Sequence, residues 1–266
     1  MSILYLALVS FFAWIISTLA GGGSPFVMIP LVNLMLGAEA VPPVITIGMF
    51  LGNSHRILLF WRFIDWKLTL WYFPGAIAGA FLGAYTFTQI HLEWLQLLIG
   101  VFLVISVIGF ALESPKQKEP QTTESTKSSE LGELKKTRFK LQAWHIMPAS
   151  FLKAFVSGLI GTTGPVLNPF YLRYGLVKEE LIATKATHVV IIHTVKIFTY
   201  GLLGALNTQE IYAGLAIGLA AIPANFVGKY LLERISSQLF RQFVLTSMII
   251  SGLYMFWEQR GFLSLG

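Results

Sequence analysis

Four side chains that could handle a proton or an anion stand in one apolar run: Lys185, His188, His193 and Lys196, all between residues 181 and 205. Charged groups are expensive inside a bilayer and face a cavity or a partner when they occur there. At about 100° per residue, Lys185, His188, Lys196 and Thr199 fall on one stripe roughly 80° wide. Lys196 lies in mid-run with no acid within a turn, so its ammonium calls for a counter-anion. Lys185 sits nearer the end of the run, where a lysine can snorkel to the interface. His188 and His193 are five residues apart. Two ligands on one helical face need a spacing of about four, and the chain has no HExxH or carboxylate–histidine set, so no metal site is expected. Either histidine could couple a proton or pack as a neutral ring.

A second pattern suits negative charge. Gly21-Gly22-Gly23-Ser24-Pro25 and Gly161-Thr162-Thr163-Gly164-Pro165 each introduce a short apolar segment. Proline is favoured in the first turn of a helix, where its missing N–H costs nothing. A helix start leaves backbone N–H groups unpaired, and in hydrocarbon each must find a partner. A bound anion can be that partner, aided by the helix dipole. The candidate binding residues are therefore Gly22, Gly23, Ser24, Pro25, Thr162, Thr163, Gly164, Pro165 and Asn168, with Lys196 neutralising the charge. His188, His193, Asn53 and Arg56 are candidates for coupling or gating. Arg56, the repeat counterpart of Lys196, lies nearer a run end, where a topological role fits it equally.

These groups need helices that can hold them in lipid. The 266 residues are 55% hydrophobic and 12% charged, with mean hydropathy +0.68. A soluble domain carries about 25% charged residues, and a globule of this size could not hide so much apolar surface. The net charge of +6 fits positive flanks of membrane spans; the bases fall between apolar runs, not along a solvated face, so nucleic acid is not an expected partner. The absence of cysteine excludes disulfides and thiol chemistry. No Lys or Arg precedes the first apolar run, so it reads as a mature membrane segment, not a signal peptide.

Apolar runs fall near 2–20, 25–36, 40–61, 68–88, 93–112, 147–161, 165–176, 181–205, 210–229 and 238–257. Six of these, 40–61, 68–88, 93–112, 181–205, 210–229 and 238–257, reach the ~20 residues that a helix needs to cross. The run 2–20 is borderline, and 25–36, 147–161 and 165–176 are too short to cross alone. The polar stretch 113–146 reads as a flexible linker. It separates a first membrane repeat, 1–112, from a second, 147–266. The halves match in order: a glycine-rich turn with proline, a short segment with a second proline (Pro30, Pro169), a long run ending in a polar cluster (Asn53 to Arg56, His193 to Lys196), and a proline five residues before a glycine (Pro74 and Gly79, Pro223 and Gly228).

Charge decides between two topologies. If the short runs of each half form a re-entrant or broken-helix hairpin followed by three crossings, sixteen of the 19 Lys and Arg fall on one face. If the short runs fuse into full spans, eight crossings result and that bias largely vanishes. The positive-inside rule therefore favours an all-α integral membrane fold of two inverted repeats, with the linker cytoplasmic and both termini outside.

The segments GGGSPFVMIPLVNLMLG, the span end with Asn53 and Arg56, GTTGPVLNPFYLRYGL and ATKATHVVIIHTVKIFTYGLLGAL resemble the TauE/SafE (TSUP) sulfite exporter family over nearly the whole chain apart from the linker. The resemblance implies a transporter, and by direction an exporter, of sulfur-containing anions such as sulfite or sulfonates. Thr162-Thr163 in place of a second glycine run implies that the halves contribute unequally. The expected partners are a small anion, the bilayer of an inner or plasma membrane, a coupling ion such as a proton, and a second copy in a homodimer; no cofactor is expected. The rival readings are an intramembrane enzyme using His188 and His193, an anion channel, and a receptor that transports nothing.

Overall fold

A computed structural model describes residues 2–89, 142–164 and 166–240, and positions 242, 243 and 246 beyond them. The run 93–112, the linker from 113 to 141, most of the run 238–257 and Pro165 lie outside the described residues. Among the described residues every regular element is helical: α1 (Ser2–Leu19), α2 (Ser24–Leu36), α3 (Val41–Phe60), α4 (Trp66–Gln89), α5 (Ile146–Ile160), α6 (Asn168–Tyr174), α7 (Lys178–Leu202) and α8 (Thr208–Arg234). Helix is what lipid demands, because it satisfies its backbone polar groups within one segment.

Among the described residues five stretches are long and apolar enough to cross a membrane: Val41–Phe63, Trp66–Gln89, Ala143–Ile160, Lys178–Leu202 and Thr208–Arg234. The third corrects the sequence reading in one respect: the run 147–161 is taken there as too short to cross alone, whereas the helical stretch begins at Ala143 and spans 18 residues. A short 3-10 turn, Ala143–His145, extends the apolar segment upstream, and the Gln142 backbone N–H donates to the His145 ring at 2.9 Å to start it. Polarity is arranged inside out. Leu34, Leu58, Leu70, Phe198 and Leu202 are among the most exposed side chains, whereas Arg56, Lys153, Lys185, His188, His193 and Lys196 are buried. The chain is a multi-pass membrane protein.

Helices that stand 140 residues apart in sequence pack in matching pairs. The two halves are offset by 140 residues from the first turn through the third helix, so that Gly21, Asn53 and Arg56 correspond to Gly161, His193 and Lys196. Helix α1 packs on α8, and its counterpart α5 packs on α4; α3 packs on α8, and its counterpart α7 packs on α4; α3 and α7 meet at the centre. Each half thus completes the other. The contacts are close where side chains are small. A Cβ at Gly83 would collide with the carbonyl oxygen of Phe155, and one at Gly79 with that of Phe151, so the α4–α5 interface is built on glycine, as in other membrane helix pairs.

One apolar cluster joins Phe60, Leu68, Tyr72, Ile146, Tyr171 and Ile182. A second joins Leu6, Trp14, Met28, Val44, Met49 and Ile217. Both clusters contribute to the wall of the cavity described below, the first through Ile182 and Ile192 and the second through Met49 and Val189.

Candidate functional site

The first break follows α1. Gly21, Gly22 and Gly23 all have positive φ (62°, 131° and 119°), a path that side-chain-bearing residues rarely follow. Helix α2 then starts at Ser24 with proline in its first turn and no side-chain cap, as the sequence predicts. The second break follows α5 and corrects the sequence reading. Gly164 has φ 57°, but the next helix does not begin there. Helix α6 begins at Asn168, and it is Pro169, not Pro165, that occupies its first turn. Thr162 and Thr163 therefore lie on non-helical backbone several residues ahead of a helix start.

The two breaks meet. The Asn168 amide donates to the Gly21 carbonyl at 3.1 Å. The Lys185 ammonium donates to the same carbonyl and, at 2.7 Å, to Asn168 Oδ1. Beside this junction lies a cavity of about 30 Å³; a single water needs ~10–15 Å³ by the same kind of measure. Both breaks line it, with Gly21 to Gly23 and Pro25 on one side and Thr162 to Gly164 on the other. The cations on its wall are Arg56, Lys153 and Lys185, and neither Asp nor Glu is among the described residues that line it. Asn53 and His193, which correspond across the repeat, both line it as well.

Arg56 is held by three bonds. Its Nε donates to Asn225 Oδ1 at 2.9 Å, and its Nη2 to Thr18 Oγ1 at 2.6 Å and the Trp14 carbonyl at 3.2 Å. Its guanidinium also stands 4.6 Å above the Trp14 ring, a cation–π contact. Lys185 is held by the two breaks. Lys153 is different: its Nζ is buried, has no hydrogen-bond partner among the described residues, and lies 5.6 Å from the centre of the Tyr72 ring.

Not every expected residue reaches the cavity. Ser24 is buried with its hydroxyl 3.9 Å from Met49 Sδ, and neither it nor Asn168 lines the cavity wall. Lys196 sits elsewhere. Its ammonium donates to the carbonyls of Ser157 (2.7 Å) and Gly161, beside Tyr200, whose hydroxyl donates to the Gly158 carbonyl at 2.6 Å. Both carbonyls lie at the end of α5, where that of Ser157 also accepts from the Gly161 N–H at 3.0 Å and that of Gly161 from the Ser157 hydroxyl at 3.3 Å, so Lys196 adds a charged donor to the helix terminus. His188 stacks on Tyr72 at 3.7 Å between ring centres, and its Nδ1 pairs with the Tyr171 hydroxyl at 2.8 Å; it is absent from the cavity wall.

The sequence reading passed over Lys153, although a lysine eight residues into the 15-residue apolar helix α5 is itself a signal. It also gave Lys185 to the interface, whereas Lys185 is buried.

The model of the family described as "Sulfite exporter TauE/SafE" matches residues 6–255. No curated protein and no solved structure matches the chain. A small cavity lined by cations, with no acid among the described residues of its wall, accords with that family's anionic cargo, and on the extent of the match the chain belongs to the TauE/SafE sulfite exporter family.

Proposed function

We propose that the chain is a secondary transporter which exports a small sulfur-containing anion, sulfite or a sulfonate, and that the anion binds between the two helix breaks. The observation that carries this reading is the cavity between the breaks, with Arg56, Lys153 and Lys185 on its wall and no acid among the described lining residues. Burying an ion costs several kcal/mol unless an opposite charge and hydrogen bonds compensate. Three cations facing one cavity therefore favour an occupant that is negative. The unprotected start of α2 points the same way, because a helix N-terminus stabilises an anion.

Alternating access follows from the repeat. In this reading the halves are inverted, the site lies near the midplane, and rocking of one half on the other exposes it to each side in turn. Export is taken from the family. Movement rather than conversion of the anion is supported by the separation of the two histidines: His193 faces the cavity, and His188 is engaged with Tyr72 and Tyr171.

Proteoliposomes holding the purified chain are expected to show saturable uptake of labelled sulfite that is accelerated by unlabelled sulfite inside. Uptake without saturation and without counterflow indicates a channel. No flux, with chemical change of the anion, indicates an enzyme and overturns the proposal.

The linker is proposed to be cytoplasmic and the termini external, in the inner or plasma membrane. A cysteine introduced at Ser128 is then expected to resist an impermeant thiol reagent in intact cells, and one at Thr208 to react. The reverse pattern inverts the topology.

A further inference from the structure

The polar groups around the cavity divide into two sets. In the first, the protein itself supplies the partners. Arg56 bonds Asn225, Thr18 and the Trp14 carbonyl. Lys185 bonds the Gly21 carbonyl and Asn168. The Asn53 amide donates to the Met49 carbonyl at 2.8 Å. In the second set no partner is present: Lys153 Nζ, Thr163 Oγ1 and His193 Nδ1 are each buried and without a hydrogen bond among the described residues, and all three residues line the cavity.

We infer that Lys153, Thr163 and His193 are the anion's direct contacts, that they select a headgroup with three oxygens on sulfur, and that the anion is held by the second half of the chain. The inference rests on the transport reading and deepens it. A buried donor left unsatisfied costs about 1–3 kcal/mol, and native proteins leave few of them. Three on one cavity wall ask for a ligand that accepts from all of them. An ammonium, a hydroxyl and, in the tautomer protonated at Nδ1, an imidazole N–H are the donors. They come from three separate elements, α5, the second break and α7, and so reach the ligand from different directions. A sulfite or sulfonate group presents three oxygens in a pyramid, one toward each donor; a carboxylate presents two in a plane.

The set exists only once. At the 140-residue offset its counterparts are Ala13, Gly23 and Asn53. The first two have no polar side-chain atom, and the third already has a bond to the Met49 carbonyl. The repeat is thus symmetric in its helices and asymmetric in its ligand contacts. The first half contributes the glycine break and Arg56, and closes over an anion that the second half holds.

The test is a titration of the full chain in detergent with sulfite, methanesulfonate and acetate, followed by calorimetry and by the ligand-induced rise in melting temperature. Sulfite and methanesulfonate are expected to bind at least about tenfold more tightly than acetate, the loss of one charge-assisted bond. Lys153→Met, Thr163→Val and His193→Phe are each expected to lose a similar factor for sulfite, while His193→Gln, which keeps a donor, retains most of the affinity. Wild-type sulfite affinity in all three overturns the contact assignment and leaves the transport reading standing. Equal affinity for acetate and methanesulfonate overturns the headgroup assignment. If the unaltered chain neither binds nor moves sulfite, the transport reading itself falls. Should Lys153→Met fail to fold, Thr163→Val and the contrast between His193→Phe and His193→Gln decide the matter.

Discussion

In Lys185→Met, sulfite affinity is expected to fall by at least about tenfold, the equivalent of ~1.4 kcal/mol, and by more than in Lys196→Met. Lys185 is a cavity cation, and its ammonium also ties Gly21 of one break to Asn168 beyond the other. Unit charges ~5 Å apart attract by about 3 kcal/mol at an effective dielectric constant near 20, so loss of one wall charge alone accounts for the expected change. Release of the junction between the breaks adds to it. Lys196 stands away from the wall and is bonded to the carbonyls at the end of α5. Its removal takes a buried, charged donor from those carbonyls, a hydrogen bond to a charged group being worth about 1.5–3 kcal/mol. Lys196→Met is therefore expected to lower the melting temperature of the ligand-free protein more than its affinity. Calorimetry and thermal unfolding on both variants check the pair. A larger affinity loss in Lys196→Met would return the charge-neutralising role to Lys196, where the sequence alone places it.

The double variant Gly79→Leu with Gly83→Leu is expected not to yield a monodisperse protein in detergent, and Gly83→Ala to lower the melting temperature. The obstacle at both positions is backbone. A Cβ at Gly83 meets the Phe155 carbonyl, and one at Gly79 meets that of Phe151; across the interface, a Cβ at Gly158 would lie 2.5 Å from the Ala84 nitrogen. Overpacking a tight site costs about 1–3 kcal/mol, and more when no side chain can turn aside. Because α5 carries Lys153, a displaced α5 also takes a cation off the cavity wall, so Gly83→Ala is expected to weaken sulfite binding as well. Leu202→Ala is the control, because Leu202 is 85% exposed. Size-exclusion profiles and melting curves distinguish the cases. A double variant that behaves as the unaltered chain does would refute the close α4–α5 contact.

The membrane class and most of the helices are legible in the sequence, because crossing hydrocarbon imposes a length and an apolar content that no side-chain detail can evade. The breaks at Gly21 to Gly23 and Gly161 to Gly164 are legible for a similar reason: three glycines before a proline in the first, and a glycine on either side of two threonines before a proline in the second, disrupt helix wherever the chain goes. Arg56 and Lys196 could be matched by their place in the repeat. The start of α6 was not legible. Two prolines, Pro165 and Pro169, each fit a first turn, and local propensity does not choose between them; in the structure α6 starts at Asn168, whose amide holds Gly21.

By itself, then, the sequence determined an all-helical membrane protein and the two positions where helix must give way. Only the tertiary structure decided which cations face the cavity and which serve as caps. Lys153, Lys185 and Lys196 are chemically alike, and hydropathy assigns each the same cost. Their partners lie far along the chain, as with Lys185 and Gly21, 164 residues apart, or Arg56 and Asn225, 169 apart. Whether an ammonium meets a carbonyl or a cavity depends on which distant helix packs against it, and local pattern carries no record of that.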